Sequence, residues 1–197
     1  MTSLAASLAE KLHRIGAVRF GTFTLKDGRQ SPFYIDLRVI ISAPDVLRDV
    51  AHAMLERAAS LRYDRIAGLP YAGLPIAVAM SLESGVPLIY PRKEAKDYGT
   101  ARQIEAAHHA GERVLVVDDV ITSGGAKIEA IAPLRQAGLI AEDVLVLVDR
   151  SADRGAALAP HGATLHSVVR VEDLLEPLRA AGRISDAELS AARAFLA

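Results

Sequence analysis

Two runs in this chain are apolar at every position, VLVV at 114–117 and VLVLV at 144–148, and aspartate closes each. A strand with one wet face alternates apolar and polar side chains, so an unbroken run needs cover on both faces. Shorter runs stand in DRIAGLP (64–70), VPLIYP (86–91) and ATLHSVVRV (163–171). Helical stretches separate them, one from about Leu74 to Glu83 and one from about Gly125 to Gln136 that Gly138 closes. Strands of this kind joined through helices pack as a parallel sheet. The fold class is α/β, a central mostly parallel sheet with helices on both faces.

The flanks carry other patterns. Leu4, Leu8, Leu12 and Ile15 recur at helical spacing ahead of Gly16. Val18 to Leu25 and Phe33 to Leu37 are β-rich, and KDGRQSP between them is full of turn formers. Ser42 is placed to cap a second helix, with Asp45 three residues on and Leu47, Val50, Met54, Leu55 and Ala58 as its buried face. Beyond Val171, the groups Leu174, Leu175, Leu178 and Leu189, Ala192, Phe195, Leu196 indicate two closing helices. The stretch Arg92 to Gly111 is too long and charged for a tight connection, so it is a functional loop or an excursion with local structure. No repeat or linker divides the chain, and residues 1–197 suit a single domain.

Charge and composition narrow the function classes. A formal net charge of -1 gives no global pull toward nucleic acid or an anionic membrane, so any anion site is local. Hydrophobic residues at 51% and charged residues at 24% are those of a folded globular chain. The absence of cysteine excludes disulfides and thiolate metal centres. Glu10, Lys11, His13 and Arg14 interrupt the N-terminal apolar run, unlike a signal core, and no stretch is long enough to span a bilayer. The expectation is a soluble cytoplasmic protein without a nucleic-acid or membrane partner.

Val114 to Ala126, VLVVDDVITSGGA, concentrates the chemistry. A buried strand runs into Asp118 and Asp119, then a loop of Thr122, Ser123, Gly124 and Gly125, then a helix. Small residues let main-chain N–H groups approach a phosphate, and the helix N-terminus adds partial positive charge. The spacings of the nucleotide-triphosphate loop and of the dinucleotide fingerprint are both absent. Acids at the C-terminal end of a strand stand where open α/β sheets bind ligands, and they can accept hydrogen bonds from ribose hydroxyls. Taken alone, the pair could equally cap the helix and solvate the loop.

The whole string resembles the signature of the type I phosphoribosyltransferases, whose two acids hold the ribose of phosphoribosyl pyrophosphate (PRPP) and whose following loop holds its 5-phosphate. The resemblance implies that fold, with a hood formed mainly by the first ~40 residues. It implies ribose binding by Asp118 and Asp119 and phosphate binding by Val120, Ile121, Thr122, Ser123, Gly124, Gly125 and Ala126. Three more segments, FGTFTLKDGRQSPFYIDLR, PRKEAKDYGT and VLVLVDR, resemble the orotate phosphoribosyltransferases in particular and stand in the same order, so the likeness covers nearly the whole chain. By that resemblance Lys26, Phe33, Tyr34, Thr122 and Arg150 hold orotate. Lys26, Tyr71, Ala72, Arg92, Lys93, Lys96 and Tyr98 also contact PRPP, and Lys96, Lys26, Asp118 and Asp119 are the catalytic set. The implied activity joins orotate to ribose 5-phosphate, giving orotidine 5'-monophosphate and pyrophosphate, in pyrimidine (UMP) biosynthesis. The implied cofactor is Mg²⁺, held mainly through PRPP with no protein ligand assigned directly. The implied partner is a second copy, in a homodimer whose basic loops each cover the neighbour's site.

The residue types suit that chemistry. Orotate is a flat ring with a carboxylate, which calls for an aromatic surface, donors and a cation. Between 92 and 102, Arg92, Lys93, Lys96 and Arg102 outnumber Glu94 and Asp97. The chain has five lysines, Lys11, Lys26, Lys93, Lys96 and Lys127, among 23 basic residues. Three of the five lie in the resembling segments, where a compact ammonium matches pyrophosphate oxygens. Many bacterial relatives have His where Tyr98 stands and Lys where Ala72 stands; Tyr98-Gly99-Thr100 is closer to the orotate domain of bifunctional UMP synthases. From the residues alone, strand packing for Phe33 and Tyr34 and a surface ion pair for Arg150 stay open. So do a type I transferase for another base and a PRPP-sensing regulator that binds nucleic acid, against which the net charge argues.

Overall fold

The computed structural model describes residues 4–25, 28–92 and 103–196, so the expectations placed on Lys26, Lys93, Lys96, Tyr98 and Arg102 lie outside the described residues. The elements run α1 (Leu4–Arg14), β1 (Val18–Thr24), β2 (Gln30–Ile35), α2 (Pro44–Ala58), β3 (Arg65–Gly68), α3 (Gly73–Ser84) and β4 (Leu88–Pro91). Then come β5 (Ile104–Glu105), β6 (Arg113–Ile121), α4 (Gly125–Gln136), β7 (Ile140–Asp149), β8 (Thr164–Arg170), α5 (Val171–Ala180) and α6 (Asp186–Leu196). They divide into two compact units, Met1–Leu47 with Val169–Ala197, and Arg48–Val168.

In the first unit α1 buries Leu8 and Leu12 and packs on α5. Each such buried side chain contributes about 1.5–3 kcal/mol. Gly16 turns the chain at φ 75°, a left-handed conformation open to glycine, and the Ala17 N–H returns to the Leu12 carbonyl at 2.8 Å. β1 and β2 pair antiparallel, and β2 starts at Gln30 rather than Phe33 because Gln30 and Ser31 complete the ladder to Thr24 and Phe23. α6 packs on α5 and β2. The helix expected from Ser42 begins instead at Pro44. Ser42 ends a 3-10 helix, Leu37–Ser42, whose cap is Asp36 accepting the Arg38 N–H at 3.2 Å. Proline in the first turn has no N–H to leave unpaired, so it starts α2 well. The buried positions of α2 are Val46, Val50, Ala51, Ala53, Met54 and Ala58, with Leu47 and Leu55 half-buried on the flanks.

In the second unit the sheet order is β5-β4-β3-β6-β7-β8. β3 pairs parallel with β4 and β6, and β6 with β7, while the short β5 runs antiparallel to β4. Among the described residues of the polar stretch 92–111, β5 is local structure. Along β6 and β7, Val116 and Val144 are buried together with their neighbours Leu115, Val117 and Leu145, which point to the opposite face. Both sheet faces are covered, as the unbroken apolar runs require. α4 has the limits expected of it, and Gly138 follows at φ 81°.

Candidate active site at the end of β6

β3 and β6 are neighbours, yet β3 continues to β4 on one side and β6 to β7 on the other. An open α/β sheet leaves a ligand crevice at such a switch point, beyond the C-terminal strand ends. The Leu69 N–H donates to the Val117 carbonyl at 2.9 Å, so residues 70–72 and the Asp118-Asp119 pair leave the same edge. A cavity of about 240 Å³ opens there, its lining including Leu69, Pro70, Arg92, Asp118 and Ala126.

The two acids have different surroundings. Asp118 is buried: its Oδ2 forms an ion pair with Nζ of Lys127, and its Oδ1 accepts the Asp119 N–H at 2.8 Å. The Lys127 and Asp118 side chains are 8% and 11% exposed. Asp119 is half-buried. Burial first, and then the charge and hydrogen bonding of Asp118, push its carboxyl up to about 7, partly opposed by Lys127. Gly73, the first residue of α3, lies against this strand end: a Cβ there would sit 2.6 Å from the Val117 carbonyl oxygen and 2.7 Å from Oδ1 of Asp118. Only glycine admits so close a passage.

After Val120, half-buried, and Ile121, buried, the chain exposes Thr122 and Ser123, and Gly124 turns it at φ 77° into α4. The N–H groups of Lys127 and Ile128 bond back to the Gly124 carbonyl at 2.9 and 3.1 Å. Thr122, Ser123, Gly125 and Ala126 are thus exposed around a helix N-terminus, where partial positive charge and main-chain donors favour an anion. Leu158, from the 3-10 helix Ala156–His161, supports Gly124 from below at 3.4 Å from where a Cβ would lie. Arg150 donates its N–H to the Ile121 carbonyl at 2.9 Å. The buried carboxylate of Asp149 then turns the chain by accepting the N–H and hydroxyl of Ser151 at 2.7 and 2.6 Å.

The second unit therefore brings together residues 118–126, the Tyr71-Ala72 segment and Arg150. Tyr71 is 64% exposed and Ala72 precedes α3. Arg92 is bonded to Glu105 at 2.5 Å. Phe33 and Tyr34 belong to the first unit. Phe33 is 1% exposed against the rings of Phe20 and Phe195, and its side chain offers no face to a ligand. Tyr34 is half-buried, stacked on Phe23 at 5.6 Å with the Arg19 guanidinium 5.5 Å from its ring centre. Sequence reasoning did not single out Gly73, Glu105, Lys127 or Leu158. For Lys127 a signal existed, since a basic residue in the first turn of a helix opposes the helix dipole.

Residues 40–171 match the family model of the phosphoribosyl transferase domain. An orotate phosphoribosyltransferase of Cenarchaeum symbiosum is 39% identical over 177 residues, covering 88% of this chain and 88% of that protein. The chain belongs to the orotate phosphoribosyltransferases. Among solved structures, the UMP synthase of Leishmania donovani aligns at a TM-score of 0.90 and 43% identity, over 99% of this chain and 42% of that one. The orotate phosphoribosyltransferase of Aeropyrum pernix aligns at 0.77 and 36% identity, over 88% of this chain and 98% of that one. The chain spans 38% of the length of a bifunctional Nostoc relative and 36% of a bovine uridine 5'-monophosphate synthase.

Proposed function

We propose that this chain transfers the ribose 5-phosphate of PRPP to orotate, forming orotidine 5'-monophosphate and pyrophosphate. The observation that carries the reading is the sequence of acids, exposed small-residue loop and helix N-terminus at the switch point between β3 and β6, with the main chain of Arg150 fastened to that loop's strand. The main-chain N–H groups of Val120 to Ala126 take the 5-phosphate, and Asp118 and Asp119 accept from the ribose hydroxyls. Tyr71, Ala72, Arg92, Lys93, Lys96 and Tyr98 are the further PRPP ligands that the family resemblance implies. Arg150 supplies the cation for the orotate carboxylate and Thr122 contacts the ring, with Lys26 and Tyr34 the further orotate ligands that the family resemblance implies. Phe33 supports the hood by packing.

Displacement at the anomeric carbon passes through an oxocarbenium-like charge, as in glycoside hydrolysis. The demand on the protein is neutralisation of the leaving pyrophosphate and exclusion of water, and the charges of Arg92, Lys93, Lys96 and Arg102 suit the first. Among the described residues no cluster of three acids or histidines gathers, and a hard ion such as Mg²⁺ is commonly held through substrate phosphates with few protein ligands. Mg²⁺ bound in that way offsets the charge of the leaving group. No helix among the described residues is long and apolar enough to cross a membrane. A cytoplasmic homodimer that shares its basic loops belongs to the same proposal.

A panel of orotate, uracil, adenine, hypoxanthine and xanthine with PRPP and Mg²⁺, read by pyrophosphate release, tests the acceptor. Release with orotate alone supports the assignment. Release with another base and none with orotate overturns it.

A further inference from the structure

Lys127 is a buried cation in the first turn of α4, next to the loop assigned to the 5-phosphate. Two observations show that it does not serve that phosphate from where it stands. Its ammonium is turned inward, against Oδ2 of Asp118, and its side chain is 8% exposed. A cation at a helix N-terminus is also unfavourable against the dipole, so its placement needs a partner that compensates. Asp118 is that partner. Its other oxygen, Oδ1, accepts the Asp119 N–H at 2.8 Å, and Gly73 closes the remaining side, since a Cβ there would lie 2.7 Å from that oxygen.

We propose that Lys127 is a positioning residue for the ribose site: by holding Asp118 in one buried rotamer it fixes the Asp118-Asp119 segment at the edge of the crevice. Asp118 lines the crevice while its two oxygens are held by Lys127 and the Asp119 amide, and Asp119 beside it is half-buried. A buried carboxylate without its counter-ion takes a proton or changes rotamer, and either change releases the amide that orients Asp119. Lys127 therefore acts on PRPP only through Asp118. The inference rests on the PRPP-binding reading of the site.

The test is a double-mutant cycle on the full chain, Lys127→Met, Asp118→Asn and the two together, with PRPP binding measured by calorimetry in Mg²⁺ and folding checked by thermal melting. Each single variant is expected to weaken PRPP about tenfold or more, the size of a lost charged hydrogen bond. In steady state Lys127→Met raises KM for PRPP more than it lowers kcat. The double variant is expected to bind within about twofold of Asp118→Asn, or more tightly, because its neutral pair leaves nothing for the lysine to hold. A double variant roughly tenfold weaker than Asp118→Asn would show that Lys127 acts on the ligand directly and would overturn the proposal. So would a folded Lys127→Met that binds PRPP like the wild type. If Lys127→Met does not fold, the comparison of Asp118→Asn with the double variant still decides. Wild-type protein that binds PRPP but releases no pyrophosphate with orotate counts against the assigned reaction and leaves this cycle intact.

Discussion

Arg150 and Ile121 are joined through the main chain, the N–H of Arg150 donating to the Ile121 carbonyl at 2.9 Å. The cation proposed for the base is thus carried on the same strand pair as the loop proposed for the phosphate. Arg150→Ala removes the side chain and keeps that backbone bond. Its affinity for orotate should fall about tenfold to a hundredfold, as for a lost charged contact, with PRPP binding preserved. Calorimetry with each ligand checks this, and equal losses for both would take Arg150 out of the base pocket.

Asp119 gives the site a pH signature. Its carboxyl is raised from 3.8 to about 7, so the folded chain favours the protonated form. That contribution to stability is complete below the ordinary aspartate range and is lost as pH rises through about 7. Asp119→Asn cannot ionise. It should match the wild type in urea melts near pH 4.5 and exceed it near pH 8.5 by something on the order of 1–3 kcal/mol. Catalysis should run the other way, with wild-type kcat/KM for PRPP rising through the same range as the acceptor form appears. A variant less stable than the wild type at both pH values would contradict the burial argument.

Gly73→Ala tests the close passage of α3 over the strand end. The added Cβ would meet the Val117 carbonyl oxygen at 2.6 Å and the Asp118 Cα at 2.7 Å, both held in the sheet. Overpacking against backbone costs about 1–3 kcal/mol, and the displaced segment carries both acids. A lower melting temperature together with a higher KM for PRPP is the expected pair of results. Wild-type values for both would mean that the crevice has room to spare.

The dimer proposal is tested by mixing two inactive homodimers, Asp119→Ala and Lys96→Ala. Random re-pairing makes half of the dimers mixed. If the basic loop completes the neighbour's site, each mixed dimer holds one intact site, and roughly a quarter of wild-type activity returns. If the loop serves its own chain, none does. Mass spectrometry confirming that mixed dimers have formed makes absence of recovery decisive against the shared site.

Much of the second unit was legible in the sequence because its cause is simple. Apolar runs buried on two faces, and a glycine at each end of α4, specify a parallel strand or a helix with few alternatives. Where two local rules compete, the sequence is less readable. Ser42 has the chemistry of a cap, but Pro44 and the Asp36-capped turn before it set the start of α2. β5 is too short to show a period. Phe33 and Tyr34 look alike as neighbours on one strand, and only the packing of Phe20 and Phe195 separates the buried ring from the half-open one. The role of Lys127 depends on a partner nine positions away whose orientation no spacing rule reports.

The acids, loop and helix N-terminus following β6 are proposed to move ribose 5-phosphate onto orotate, and one assay decides it. It is tested most directly by following orotate absorbance in PRPP and Mg²⁺ for the wild type and Asp119→Asn side by side, with pyrophosphate measured in the same samples. Wild-type protein should consume orotate and release pyrophosphate one for one, while folded Asp119→Asn does so at least about a hundredfold more slowly. Orotate left unconsumed by the wild type, or consumed at the same rate by both proteins, would contradict the account.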